Sequence, residues 1–116
     1  MSDPHLDQSV RNFLLEVMGE EYPVLLDTYL FDSEERRRQI HAAMDDGDAL
    51  ALRLAAHSFK GSCSNMGALL LAGLCWQLEE VARRELLDQA PALIEQVDRE
   101  FAIVRILLKS ERQRYR

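Results

Sequence analysis

Five stretches of this chain carry apolar residues that return every three or four positions, and little interrupts them. The clearest is Ile94, Val97, Phe101, Val104 and Leu108. Such spacing lines one face of an α-helix, whereas a half-buried strand needs alternation by two. Val10, Phe13, Leu14 and Val17 follow the same rule near the start, and so do Leu26, Tyr29, Leu30, Ile40 and Met44. Leu52, Ala56, Phe59, Cys63 and Met66 form a fourth stripe, and Leu71, Leu74, Leu78 and Val81 a fifth. Only three prolines and five glycines punctuate 116 residues. Helix formers such as Leu, Ala, Glu, Gln and Arg fill the rest, so the pattern predicts an all-α protein.

The breakers set the boundaries. A first helix over about 7–18 is closed by Gly19, and a second over about 20–45 has Pro23 in its first turn, where proline is tolerated. Gly47 suits a helix end and Asp48 the N-cap of a third helix over about 48–66. A tight turn at Gly67 leads to a fourth over about 69–84, and Pro91 opens a fifth over about 91–111, ahead of a basic, polar tail, "KSERQRYR". The spacing of Asp45, Asp46 and Asp48 does not match a calcium-binding loop, and capping accounts for Asp and Gly together. The expected architecture is a single domain, 1–116: an antiparallel up-and-down four-helix bundle with an additional short N-terminal helix.

A formal charge of −6 and a pI near 5.0 disfavour nucleic acid and anionic membranes as partners. The longest apolar run, "ALLLAGLCW", falls well short of a bilayer span, and the polar start "MSDPHLDQS" is no signal peptide, so a cytoplasmic protein is expected. Cys63 and Cys75 lack metal-ligand spacing and read as reduced core thiols. His5 and His41 read as surface residues without a functional role.

His57 is different. At about 100° per residue it lies roughly 140° from the centre of the Leu52 to Met66 stripe and so points outward. Leu50, Arg53, Leu54, Lys60, Gly61 and Ser64 fall within about 60° of it. Two leucines and a mid-helix glycine are unusual on a solvated face, since glycine there costs about 1 kcal/mol relative to alanine. Arg53 and Lys60, one turn either side, give a local positive site suited to a phosphoryl group. Spacing alone leaves a second reading open, in which His57 is an incidental surface histidine and the leucines are covered by the N-terminal helix.

Read as a motif, "HSFKGSCSNMGA" resembles the signature of histidine phosphotransfer (HPt) domains, H-x-L-K-G-S-S-x-x-[LM]-G-A, and the downstream "LCWQLEEVAR" is similar to that family's following helix. The resemblance implies that His57 is the phosphoacceptor, that Lys60 steadies the phosphoryl oxygens, that Gly61 leaves room for a docking receiver domain and that Gly67 shapes the turn. Many members place a glutamine on the following helix to orient the imidazole, a role that Glu79 or Gln77 would fill here. Phe59 and Cys63 stand where leucine and serine are commoner, and both fall on the core stripe, so these departures bear on packing more than on transfer.

The implied function is that of a relay intermediate in a multistep two-component pathway. His57 takes a phosphoryl group from the receiver domain of a hybrid sensor kinase and passes it to the receiver aspartate of a response regulator. Mg²⁺ is expected on the partner receiver and no cofactor on this chain, which would be a monomeric carrier without ATP-dependent kinase activity of its own. Leu50, Arg53, Leu54 and Ser64 are the candidate partner contacts. Two other readings compete. The phosphoacceptor helix pair of a histidine kinase needs an ATP-binding domain for which 116 residues leave no space, and a purely structural adaptor bundle would not become phosphorylated.

Overall fold

Asp7 starts the first helix as its N-cap: the side-chain Oδ1 accepts from the backbone N–H of Ser9 at 2.8 Å and of Val10 at 3.4 Å. In the computed structural model, which describes residues 3–115, helix α1 spans Gln8–Met18. Gly19, with φ of +52°, then turns the chain through a single 3₁₀ turn, Gly19–Glu21, into α2, Tyr22–Asp45. Helix α3, Ala49–Asn65, is capped by Asp48, whose Oδ1 accepts from Ala51 N–H at 3.0 Å. Helix α4 is Leu69–Arg83, and a 3₁₀ turn, Leu87–Gln89, precedes α5, Ala90–Arg112. The expected boundaries hold to within one or two residues. The differences lie at the ends, where Asp7 and Asp48 act as caps and short 3₁₀ turns lead into α2 and α5.

Helix α3 packs between α2 and α4, and α5 closes the ring against α2 and α4, giving the four-helix bundle. Its core takes Leu26, Tyr29 and Ile40 from α2, all of the Leu52 to Met66 stripe, Leu71, Cys75, Leu78 and Val81 from α4, and the full Ile94 to Leu108 stripe of α5. Leu30, Met44 and Leu74, expected on the stripes, are only partly buried and pack at the core's margin. At mid-height Phe59 meets Phe101 edge-on at 5.8 Å between ring centroids, and the Arg37 guanidinium lies 5.4 Å from the centre of the Phe101 ring. Cys63 and Cys75 are free and buried. A hydrogen bond with Cys63, together with burial, pushes the Cys75 thiol up, so it stays protonated and inert.

Helix α1 departs from expectation. Phe13 and Val17, two of its four predicted stripe residues, are 61% and 62% exposed, while Val10 and Leu14 of the same stripe are part-buried and Leu15 and Met18 turn inward beside Leu14. The cause is where α1 docks. Val10 packs on the turn between α3 and α4 so closely that a Cβ on Gly67 would lie 2.9 Å from the Val10 Cβ, and Asp7 N–H donates to the Gly67 carbonyl at 2.9 Å. Gly67 also has φ of +80°, so glycine is required there twice over. The predicted stripe is thus split: Val10 packs on that turn while Phe13 and Val17 face solvent.

The C-terminal stretch is not a free polar tail. Helix α5 runs through Arg112, and Glu111 is buried, accepting from the Tyr22 hydroxyl at 3.0 Å and from the Arg11 guanidinium on α1. Burial pushes the Glu111 carboxyl up, but the hydrogen bonds from Arg11 and Tyr22 outweigh it and hold the group below the usual carboxylate range. Tyr115 then meets Tyr22 edge-on at 5.5 Å.

Candidate functional site

Because Leu52, Ala56, Phe59 and Cys63 turn one side of α3 into the core, its other side is offered to solvent. The His57 side chain is 63% exposed. Leu50, Arg53, Leu54, Gly61 and Ser64 are exposed on the same helix. Leu50 and Leu54 are not covered by the N-terminal helix, which docks instead on the turn at Gly67. The covering of the two leucines, one half of the second reading, is therefore not what the fold shows.

Among the described residues Gly61 has no packing reason. A Cβ built there would meet nothing within 4 Å, and the helix around it is regular. The glycine leaves a gap on the outer surface, one turn from His57.

Glu79, on α4, organises the polar groups. One carboxylate oxygen lies 2.9 Å from His57 Nδ1 and the other accepts from Lys60 Nζ at 2.6 Å. Gln77, the other residue considered for this place, is about 160° away around α4 and lines a shallow groove toward α5 with Trp76, Leu86 and Leu93. Burial pushes the Glu79 carboxyl up, but hydrogen bonds from Lys60 and His57, with their charges, more than offset it and keep the group below the usual carboxylate range. An ionised carboxylate can only accept, so Nδ1 is the donor and carries a proton whether the ring holds one or two. In the neutral ring the lone pair is then on Nε2, which has no hydrogen-bond partner among the described residues.

Of the two basic residues expected beside His57, Lys60 has its ammonium paired with Glu79, and Arg53 is exposed on the N-terminal side. The other two histidines hold elements together: His5 Nδ1 lies 2.6 Å from Glu100, and His41 Nε2 lies 2.8 Å from Asp98. Trp76 is 55% exposed at the edge of the bundle. Among the described residues no cluster of His, Cys, Asp and Glu is placed to hold a metal ion, and no helix is long and apolar enough to cross a membrane.

The chain is similar to known proteins over this whole architecture. The family model of the Hpt domain matches residues 24–107, which takes in α3 and α4 complete. The crystal structure of histidine-containing phosphotransfer protein B (HptB) from Pseudomonas aeruginosa PAO1 is 69% identical, covers 99% of this chain and 100% of its own, and superposes with a TM-score of 0.97. No curated protein sequence matches. An outward histidine fixed by a carboxylate on the neighbouring helix of a four-helix bundle, within a matched stretch of this length, leads to one assignment: the chain belongs to the Hpt domain family.

Proposed function

We propose that this protein is a phosphoryl carrier in a multistep two-component relay, taking the group onto His57 from the receiver domain of a hybrid sensor kinase and delivering it to the aspartate of a response-regulator receiver. The observation that carries the reading is the state of His57: exposed on a helix face, with Nδ1 committed to Glu79 and Nε2 free to act as a nucleophile. In the loading step the Nε2 lone pair attacks the phosphorus of the receiver's aspartyl phosphate. The N–P bond forms, the acyl phosphate P–O bond breaks, and the aspartate leaves as a carboxylate.

Mg²⁺ and the acidic residues that hold it belong to the partner receiver, and this chain supplies no ATP chemistry. Lys60 lies one turn from His57, where its ammonium offsets charge on the phosphoryl oxygens. Leu50, Arg53, Leu54 and Ser64 form the docking face, and Gly61 lets the partner's surface approach the helix backbone. The same face serves both partners in turn, so the interface is small and short-lived, and the protein works as a cytoplasmic monomer.

The test is transfer of labelled phosphoryl from charged receiver domains to the purified protein, beside His57→Gln. Acid-labile label on the wild type and none on the variant is the expected result. A folded wild type that takes no label from any receiver would favour the adaptor reading.

A further inference from the structure

Glu79 does more than the loading step requires. In that step the phosphoryl group adds to Nε2 while Nδ1 keeps its proton, so the product ring is cationic. The cation lies against a carboxylate that is held ionised by a second donor, Lys60, at 2.6 Å. A carboxylate held in this way is a poor proton acceptor, so the shared proton stays on the imidazole side of the Nδ1 hydrogen bond.

The unloading step depends on that proton. When a receiver carboxylate attacks the phosphorus, the N–P bond breaks and its electron pair returns to Nε2. With Nδ1 protonated the ring departs as neutral imidazole; without it the leaving group is an imidazolate, which is far more basic and leaves far more slowly. We infer that Glu79 is the positioning residue that keeps Nδ1 of His57 protonated after phosphorylation, and so sets how readily the stored phosphoryl group is given up. This rests on the relay reading of His57.

The charged groups around the ring are few. From α3 they are Arg53 and Lys60; from α4 they are Glu79 and, in its next turn, Arg83, which is already paired with Glu80. Among the described residues, Glu79 is the one anion that touches the ring. Glu79→Gln keeps an acceptor for Nδ1–H but removes the charge, so the ring proton becomes subject to bulk pH.

The experiment loads His57 chemically with phosphoramidate, with His57→Gln identifying its ³¹P resonance, and follows loss of the phosphoryl group between pH 5 and pH 8. The wild type is expected to lose it at a nearly constant rate. Glu79→Gln is expected to match it near pH 5 and to be roughly tenfold slower at pH 8. Glu79→Asp, which keeps the charge, should restore much of the wild-type profile. The ¹⁵N spectrum of the loaded wild type should show a protonated Nδ1 at pH 8 and that of Glu79→Gln an unprotonated one.

Superimposable pH profiles with Nδ1 unprotonated in both proteins would overturn the assignment. Transfer from a charged receiver is run alongside. Label on the wild type with superimposable profiles overturns the role of Glu79 alone, whereas no label on the wild type removes the relay step and the inference with it.

Discussion

Glu111 and Glu79 are each held by donors from other elements of the fold. Glu111 takes the Arg11 guanidinium and the Tyr22 hydroxyl, and Glu79 takes the Lys60 ammonium and the His57 ring. In both, burial works against the charge and the donors outweigh it. The difference is where the donors lead. Tyr22 is 2% exposed and carries the load of Glu111 into the core, while the His57 side chain is 63% exposed and carries that of Glu79 to solvent. Similar electrostatics therefore serve structure at one end of the chain and, on the function proposed above, chemistry on its outer face, and the accessibility of the partner decides which.

The sharpest way to break this comparison is to remove both carboxylates in turn. Glu111→Ala strands a buried hydroxyl and a guanidinium and is expected to cost about 2–3 kcal/mol, lowering the melting temperature by roughly 10 °C. Glu79→Ala, whose donors are more exposed, is expected to cost less than about 1 kcal/mol. Thermal unfolding followed by circular dichroism reads both; equal losses would erase the distinction.

Leu54→Asp extends the contrast to the proposed docking face. Leu54 is 57% exposed, so stability should stay within about 0.5 kcal/mol of wild type while receiver affinity falls about tenfold, as titration calorimetry would show. A large drop in melting temperature would instead make Leu54 part of the fold. Gly61→Ala should move the two properties in opposite directions. The added methyl meets open space and helix propensity improves, so stability rises by up to about 1 kcal/mol while transfer from the receiver slows.

The smallest effect is in acid. Both glutamates have folded-state values below the ordinary 4.5, so their stabilisation is fully present above that pH and is lost as pH falls through the lower folded values. Urea titrations at pH 3 to 6 should show a steeper acid decline for the wild type than for Glu111→Gln, with Glu79→Gln between them.

The two ends also differ in how much of them the sequence discloses. The faces of α3 are legible because five core residues keep strict helical spacing, which fixes His57 as outward. Glu79 against Gln77 is not legible from the family motif, because the choice depends on how α4 is rotated against α3. Glu111 is hidden more deeply: a single acid among basic residues has no apolar signal, and its partner Arg11 is 100 residues away in sequence. Helix α1 misleads because its stripe is split, with Val10 packed at Gly67 and Phe13 and Val17 facing solvent. The end of α4 carries no glycine either, since Glu85 itself adopts φ of +56°.

The lone tryptophan has a practical consequence. Trp76 is already more than half exposed in the native protein, so its emission starts close to that of a hydrated indole and has little further to shift on denaturation. Intrinsic tryptophan fluorescence would thus be nearly blind to loss of the core. The near-ultraviolet dichroism of Tyr22 and Tyr29, which the fold immobilises at 2% and 5% exposure, would register it at once.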